Sequence, residues 1–214
     1  MRRQWLAECL GSLVLAAAVI GSGIMAERLA GGNLAVALLA NTLATVAALG
    51  TMIALLGPVS GAHFNPAVTI AMKLRGNFPL SDACAYILMQ IAGCCLGAIL
   101  ANAMFDLPLI QASTHVRSGL SQWLSELVAT TGLVLVVLGS PSSKEAAWRV
   151  PAWIGAAYWF TASTSFANPA ITVARALSDS FAGIAPSSAP GFIIAQFAGV
   201  AVALAGARLI FARP

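Results

Sequence analysis

The chain has 214 residues, of which 59% are hydrophobic and only 8% are charged, and its formal net charge is +4. Soluble domains carry about 25% charged residues, so this composition excludes a soluble globular enzyme, and the high apolar content excludes a disordered chain. In a membrane protein an excess of basic over acidic residues reflects basic cytoplasmic loops. We therefore expect a lipid bilayer as the surroundings and no nucleic-acid partner.

Long apolar runs predict six membrane-spanning helices. A helix crosses the hydrocarbon core with about 20 residues, and the suitable runs are 5–25, 34–56, 82–104, 120–139, 146–164 and 191–211. Two shorter stretches, 65–75 and 168–181, each begin at an Asn-Pro pair. Because proline in the first turn starts a helix well, we expect two half-helices that enter the membrane and stop. The sequence predicts a single all-α membrane domain over residues 1–214.

The basic residues favour one orientation of these spans. With six crossings both termini lie on one side, and placing them inside leaves three basic residues outside: Arg28, Arg117 and Arg175. The cytoplasmic set would then be Arg2, Arg3, Lys73, Arg75, Lys144, Arg149, Arg208 and Arg213. This distribution follows the positive-inside rule, so we predict a multi-pass protein of the cell membrane with cytoplasmic termini.

Three short segments recur in the same order in the two halves of the chain. Residues 4–8 (QWLAE) resemble 122–126 (QWLSE), 64–69 (FNPAVT) resemble 167–172 (ANPAIT), and 86–90 (YILMQ) resemble 192–196 (FIIAQ). We therefore predict a duplicated unit, about 1–105 and about 117–214. Each unit holds three spans, and this odd number turns the second copy upside down. The half-helices then meet near the midplane, where irregular backbone is tolerated only inside protein or along a watery cavity.

Asn65 and Asn168 would lie at the facing N-termini of the two half-helices. Their amide NH2 groups are hydrogen-bond donors, and each half-helix directs about +0.5 charge towards the centre. Cations would meet a positive potential, and a water file would be oriented so that a continuous proton wire is broken. This arrangement predicts a passive pore for uncharged solutes.

The two motifs resemble those of the aquaporin (major intrinsic protein) family, and the resemblance covers the whole chain. It implies six helices plus two half-helices, one pore per subunit and a homotetramer. Four polar residues inside spans also fall where that family has the same residues: Glu8, Glu126, Gln90 and Gln196. The two motifs themselves comprise Asn65, Pro66, Ala67, Asn168, Pro169 and Ala170.

By motif spacing, the family's selectivity filter falls on Thr45, Ala156, Ser165 and Ile171. Family members nearly always carry arginine where this chain has Ile171, so the resemblance implies a wider, less polar filter than in water-only members. Expected solutes are water, glycerol, urea and neutral metalloids such as arsenous acid (arsenite). Residues 168–184 resemble a bacterial aquaglyceroporin subgroup often associated with arsenic resistance. A water-selective channel and a non-transporting structural protein are the alternatives.

Several polar residues leave two interpretations open. Arg175 lies one helical turn after Ile171, so it can supply the missing positive charge in the vestibule, pair with Asp179, or do both. His63 lines the inner vestibule in this interpretation, with a structural or pH-gating role. Glu8 and Glu126 either accept hydrogen bonds from the re-entrant loops, as Gln90 and Gln196 would help to do, or relay protons.

No catalytic residue, cofactor or metal is expected from the sequence. An intramembrane enzyme would need a nucleophile with an adjacent base, or metal ligands facing a cavity, and only His63 and His115 are present as histidines. The four cysteines lie in apolar runs and lack metal-site spacing. We expect them to be buried, inert thiols.

Overall fold

The computed structural model describes residues 2–76 and 78–211 and contains eight helices and no strand in those residues. Arg213, one of the residues that we count on the cytoplasmic side, lies outside them. Two helices, α3 (Pro66–Leu74) and α7 (Pro169–Arg175), are only 9 and 7 residues long. The helices are α1 (Arg2–Leu29), α2 (Leu34–Ser60), α3 (Pro66–Leu74), α4 (Leu80–Met104), α5 (Leu120–Leu138), α6 (Ser143–Phe160), α7 (Pro169–Arg175) and α8 (Ala189–Ile210).

Five helices in the described residues have the length and hydropathy to cross a membrane, and these are α1, α2, α4, α5 and α8. The remaining long helix, α6, has 18 residues and begins with Lys144, Glu145 and Arg149 among its first seven positions. These charges lower its hydropathy, although its length of about 27 Å nearly matches the hydrocarbon core. The architecture of six long helices and two half-helices agrees with the predicted fold.

Two helices end earlier than their apolar runs. The fifth predicted span was expected to reach residue 164, whereas α6 ends at Phe160. The second half-helix was expected to reach residue 181, whereas α7 ends at Arg175. Beyond it, the backbone carbonyls of Ala176 and Leu177 accept hydrogen bonds from Ser113 and Gln111 in the α4–α5 connector. Because these carbonyls accept hydrogen bonds from the connector and not from the amides of a continuing helix, the chain after Arg175 forms a loop.

Helix contacts repeat between the two halves of the bundle. In the first half α1 packs on α2 and α4, and in the second half α5 packs in the same way on α6 and α8. Each half-helix also crosses into the other half, since α3 contacts α5 and α8 while α7 contacts α1 and α4. The half-helices touch each other, and α2 packs on α6. The helices therefore form one bundle with α3 and α7 at its centre.

Glycines permit the closest helix approaches in each half. A Cβ on Gly93 of α4 would lie 2.2 Å from the backbone oxygen of Cys9 in α1, and one on Gly97 would lie 2.3 Å from that of Leu13. In the second half a Cβ on Gly199 of α8 would lie 2.7 Å from the oxygen of Leu127 in α5. Such backbone-to-backbone packing is a common way to join helices in a membrane.

The bundle is apolar outside, unlike a soluble domain, and it encloses polar side chains within a largely apolar core. Leu29, Leu120 and Leu209 are among the large apolar side chains that are more than three-quarters exposed. The completely buried side chains include Glu8 and Glu126. An apolar exterior suits contact with lipid. Ionisable residues buried inside a membrane protein indicate a functional site, which here lies at the centre of the bundle.

A Gly93→Ala substitution should lower the unfolding temperature measured in detergent. The new methyl group collides with the backbone of α1, and overpacking of this kind costs about 1–3 kcal/mol. Gly206→Ala in α8 is the matched control because its Cβ would have no neighbour closer than 3.9 Å. Equal unfolding temperatures for the two variants would contradict the close α1–α4 contact.

Candidate functional site

Each half-helix begins at the asparagine that precedes its proline. Asn65 has extended backbone, and its Oδ1 accepts a hydrogen bond from the amide of Ala67 at 2.8 Å. Asn168 is placed alike, and its Oδ1 accepts from Ala170 at 3.0 Å and from Ile171 at 3.3 Å. The carboxamide oxygens therefore cap their own helices, and the NH2 groups remain as donors.

The two asparagines also join the halves of the protein. Nδ2 of Asn65 donates to the carbonyl oxygen of Ala167 at 2.8 Å, and Nδ2 of Asn168 donates to that of Phe64 at 2.9 Å. An NH2 group carries two hydrogens, and among the described residues only one from each asparagine is used. Since both asparagines border the central cavity, the second hydrogen is available to its contents.

The loops that lead to the half-helices have left-handed backbone at equivalent positions. Ala62 and Phe64 have φ of 50° and 48°, and Ser165 and Ala167 have φ of 51° and 46°. Left-handed backbone costs a residue with a side chain about 1–2 kcal/mol. Such backbone persists only where its surroundings hold it, and it is concentrated at functional sites.

Glu8 holds the first loop. One of its carboxylate oxygens accepts from the Ser60 hydroxyl at 2.6 Å and the His63 amide at 3.0 Å. The other accepts from the Phe64 amide at 2.7 Å and from Nε2 of Gln90 at 2.8 Å. Four donors on one buried carboxylate satisfy loop amides that water cannot reach at this depth.

Glu126 holds the second loop in the same way. Its first oxygen accepts from the Ser163 hydroxyl at 2.6 Å and the Phe166 amide at 2.9 Å. Its second oxygen accepts from the Ala167 amide at 2.8 Å and from Nε2 of Gln196 at 2.6 Å. The two carboxylates therefore have equivalent partners at equivalent positions of the repeat.

The buried glutamines have a different role from the one expected. Gln90 donates to the Thr69 hydroxyl of α3 at 2.9 Å, and Gln196 donates to the Thr172 hydroxyl of α7 at 3.0 Å. Each glutamine thus connects a carboxylate to the side of a half-helix instead of to loop backbone. These threonines were not singled out from the sequence, although both occupy the fourth position after the motif asparagine.

A cavity of about 90 Å³ runs past the tips of the half-helices. This is room for several water molecules. Its lining combines the two loops and half-helix residues with apolar side chains from α1, α2, α5 and α6. The residues are Leu15, Val19, Thr45, Leu49, Ile53, Gly61, Ala62, His63, Phe64, Asn65, Val68, Leu133, Val137, Ala146, Val150, Ile154, Tyr158, Ser165, Phe166, Asn168, Ile171 and Arg175.

Three of the four predicted filter residues border this cavity, and the fourth does not. Thr45, Ser165 and Ile171 belong to the lining, whereas Ala156 lies on the exposed face of α6. The α6 residues that border the cavity recur every fourth position and end with Ile154 and Tyr158. Ala156 is two residues from each, a rotation of about 200°. The assignment of Ala156 to the filter is therefore wrong.

The error comes from the end of α6. Counting back from the motif asparagine assumes that the helix runs close to the loop, as α2 does by continuing to Ser60. In the second half, α6 ends at Phe160, and Ser163, the equivalent of Ser60, lies three residues further on. The spacing of four along α6 was the signal in the sequence that identifies Ile154 and Tyr158.

The cavity is also more polar and aromatic near Arg175 than expected. Arg175 is only 2% exposed, and its guanidinium carbon lies 3.4 Å from the ring centroid of Phe166. The Tyr158 hydroxyl is 3.4 Å from the Thr45 hydroxyl. Tyr158 and Phe166 both border the cavity there, so this end carries aromatic rings that the four filter residues expected from motif spacing do not include.

Asp179 does not pair with Arg175 in the structure. Its Oδ1 accepts from the Thr114 amide at 2.8 Å and the Thr114 hydroxyl at 3.0 Å. These hydrogen bonds, the one from the amide above all, hold the pKa of the Asp179 carboxyl below its ordinary value. Of the two interpretations of Arg175, the structure supports the one in which it borders the pore.

His63 borders the cavity at the other loop. Its Nδ1 lies 3.1 Å from the Thr69 hydroxyl, and its ring centroid lies 5.4 Å from that of Phe78 and 5.3 Å from that of Tyr86. These contacts hold the ring between α4 and the segment before it. Phe166 is the residue equivalent to His63 in the second half, so the two ends of the cavity differ chemically.

Replacing Glu126 by Gln should lower the unfolding temperature in detergent. One acceptor oxygen becomes a donor that faces other donors, and an unsatisfied buried group costs about 1–3 kcal/mol. Glu145→Gln is the control, since Glu145 forms a half-exposed pair with Arg149, and such pairs contribute about 0–1 kcal/mol. Similar destabilisation by both substitutions would count against the proposed loop support.

Comparisons with known proteins agree with this architecture. The family described as MIP, Major intrinsic protein, matches residues 1–165. Aquaglyceroporin AqpS of Rhizobium meliloti (strain 1021) is 50% identical over 218 residues, which cover 100% of this chain and 93% of that protein. A probable glycerol uptake facilitator protein of Thermotoga maritima is 30% identical over 169 residues, covering 72% of this chain and 71% of that protein.

A solved structure supports the fold independently. The X-ray structure of the aquaglyceroporin from Plasmodium falciparum superposes with a TM-score of 0.76 at 20% identity, covering 99% of this chain and 97% of that one. At this identity the likeness concerns the fold alone. Together with the family match over residues 1–165 and the full-length relative, it shows that the chain belongs to the major intrinsic protein family.

Proposed function

We propose that the chain forms a passive transmembrane channel for small uncharged solutes: glycerol, urea, neutral metalloids such as arsenous acid, and water. The observation that carries this proposal is the meeting of the two half-helices at a cavity. There Asn65 and Asn168 each hold the opposite loop with one amide hydrogen and keep the other. A solute that passes them exchanges one hydrogen bond at a time, so transport follows the gradient.

Exclusion of cations follows from the same geometry. The N-termini of α3 and α7 both face the cavity, and each adds a partial positive charge. Arg175 adds a full positive charge further along the lining. Neither buried carboxylate, Glu8 or Glu126, borders the cavity, and both oxygens of each accept hydrogen bonds from donors around the loops.

Two observations bear on the solute. The apolar side of the lining, which includes Leu15, Leu49 and Leu133, suits the carbon backbone of a polyol. The names of two relatives, an aquaglyceroporin and a probable glycerol uptake facilitator, support the same solute class. The second candidate is a water-selective channel, and the aromatic rings of Tyr158 and Phe166 in the lining favour it.

We also propose the assembly and placement of the channel. The apolar exterior supports a multi-pass protein, and the distribution of basic residues supports the cell membrane with both termini in the cytoplasm. A homotetramer with one pore per subunit follows from the family resemblance. A structural role without transport is less compatible with a lined cavity at the centre of every subunit.

Stopped-flow light scattering on proteoliposomes tests this function. Water, glycerol, urea and arsenous acid should each enter faster than in protein-free vesicles, and the flux should need no ion gradient. Entry of water alone would support the second candidate. Absence of any acceleration, with correctly folded protein in the vesicles, would overturn the channel.

Asn168→Asp should admit cations. A carboxylate replaces the donor amide at the centre, and the positive barrier there is lost; a tenfold rise in leak requires a change of only about 1.4 kcal/mol. The measurement is the Na⁺ or K⁺ leak of proteoliposomes, for which we expect at least about a tenfold increase.

Asn33→Asp is the matched control for this substitution. Asn33 also caps a helix, since its side chain accepts from the amides of Ala35 and Val36, but it is exposed at the start of α2. A carboxylate there should leave the leak unchanged. If Asn168→Asp leaks no more than Asn33→Asp, the paired amides are not the cation barrier.

A tryptophan scan of α6 tests the corrected pore face. Ile154→Trp should reduce glycerol and urea flux to the level of protein-free vesicles, because the new ring fills the cavity that Ile154 borders. Ala156→Trp should leave both fluxes within about twofold of wild type, since this side chain faces outwards. The reverse pattern would show that the cavity follows the other face of α6.

A further inference from the structure

A groove on the outside of the bundle lies between α5 and α8. Its volume is about 530 Å³, and none of its lining residues in the described chain borders the central cavity. Leu120, Leu124 and Ile194 in the lining are 81%, 62% and 70% exposed, whereas Ala195 is buried. Because α5 and α8 both have the length and hydropathy of membrane spans, the groove opens towards lipid.

The length of the groove matches a single leaflet of the bilayer. On α5 the lining runs from Leu120, the first residue of that helix, to Leu127, which is about 10 Å at the usual rise of an α-helix. On α8 it begins at the third residue, Gly191. A hydrocarbon core about 30 Å thick gives each leaflet about 15 Å. The groove therefore starts at the membrane surface and extends through most of one leaflet, as the upper part of an acyl chain does.

Trp123 makes this groove unsuitable for a helix from a second copy of the chain. Gly191 and Ala195 lie one helical turn apart, and two small residues at this spacing often allow another helix to approach closely. A Cβ on Gly191, however, would lie 2.5 Å from Nε1 of Trp123, so the indole ring already covers this glycine. A helix with side chains is about 10 Å wide and cannot reach the Gly191 backbone past the ring. A thin, flexible acyl chain can lie beside it.

The surface end of the groove complements the charge of a phosphate group. The N-termini of α5 and α8 lie there, and neither has a side-chain cap or an acidic residue in its first turn. Gly119 has no side chain to cap α5, and the Ser188 hydroxyl accepts a hydrogen bond from the Arg117 amide at 3.2 Å instead of capping α8. Uncapped helix N-termini carry partial positive charge and present amides that favour phosphate. A phospholipid fits this combination of apolar groove and positive end.

The equivalent surface of the first half of the chain has larger side chains. The recurring segments pair Trp5 with Trp123, Ala85 with Gly191 and Met89 with Ala195. Nε1 of Trp5 is buried, whereas Trp123 is 37% exposed. Since the methionine side chain occupies the place that is left open beside Ala195, we expect the lipid site in the second half alone.

We propose that the groove between α5 and α8 binds one acyl chain of a phospholipid, whose phosphate lies at the N-termini of these two helices. The lipid belongs to the leaflet on the side of the α4–α5 connector, which is the outer leaflet in the proposed orientation. This inference concerns the outer surface of the protein and does not depend on which solute passes the central cavity.

Photo-crosslinking in phosphatidylcholine vesicles tests the site. A trace of the same lipid carries a diazirine on the upper part of one acyl chain, and peptide mass spectrometry locates the adducts on the full chain. Residues 120–127 and 191–195 should be labelled at least about threefold more than the equivalent residues 2–9 and 85–89, a preference of about 0.65 kcal/mol. The probe is present in both leaflets, so the two surfaces of one molecule are sampled equally.

Ala195→Met introduces the side chain that the first half has at Met89. It should fill the groove and lower the labelling of residues 120–127 to that of the first half. Ala205→Met is the matched control, since Ala205 is exposed on the same helix but does not line the groove, and it should leave the labelling unchanged. If Ala195→Met does not fold, Leu124→Trp decides, because Leu124 is 62% exposed and a larger ring there displaces no core residue.

The outcomes separate the lipid site from its alternatives. Equal labelling of the two surfaces, or labelling that the groove-filling substitutions leave unchanged, would overturn the lipid site. Labelling of the groove below that of the first half would show that another subunit covers it, which also overturns the proposal. A diacylglycerol with the same diazirine chain should label the groove less than phosphatidylcholine does. Equal labelling by both probes would contradict the phosphate contact at the helix N-termini.

Discussion

The whole arrangement depends on one constraint: backbone amides at the depth of the bilayer need acceptors from the protein itself. Two half-helices and their irregular loops place such amides at the centre of the bundle. Glu8 and Glu126 satisfy them, and each carboxylate is saturated by four donors. Charge inside the membrane, usually a cost, is here the means by which left-handed loop backbone is kept in place and a lumen stays open.

The support of the loops is the same in both halves of the chain, but the two ends of the enclosed cavity differ. The loops, their carboxylates and the capping asparagines match position by position between the two halves. The residues two positions before the asparagines do not, since one loop presents His63 and the other Phe166. Phe166 carries the guanidinium of Arg175 on its ring. The hydrogen bonds that hold the loops are therefore the same in both halves. The chemistry of the cavity lining is set by a few positions whose residues differ between the halves.

The sequence was informative where periodicity and repetition act over many residues. Hydropathy identified six long helices, and the three recurring segments identified the central half-helices and the glutamates beside them. It was harder to predict which individual residues of a helix face the cavity. Ala156 was misplaced because the end of α6 at Phe160 depends on where the following loop is held, and counting from Asn168 cannot detect that. The position of Arg175 on Phe166 depends on its contact with Ala182 and on the hydrogen bonds of the connector to Ala176 and Leu177, which only the folded chain brings together.

The crossed hydrogen bonds of the asparagines have a consequence for biosynthesis. Asn65 needs the carbonyl of Ala167, about a hundred residues later in the chain. While the ribosome is still translating the second half, the tip of α3 has no counterpart, and the Asn65 NH2 group and the Phe64 carbonyl lack their partners Ala167 and Asn168. The first half therefore enters the membrane as an incomplete structure, and the aqueous path is completed only when α7 is inserted.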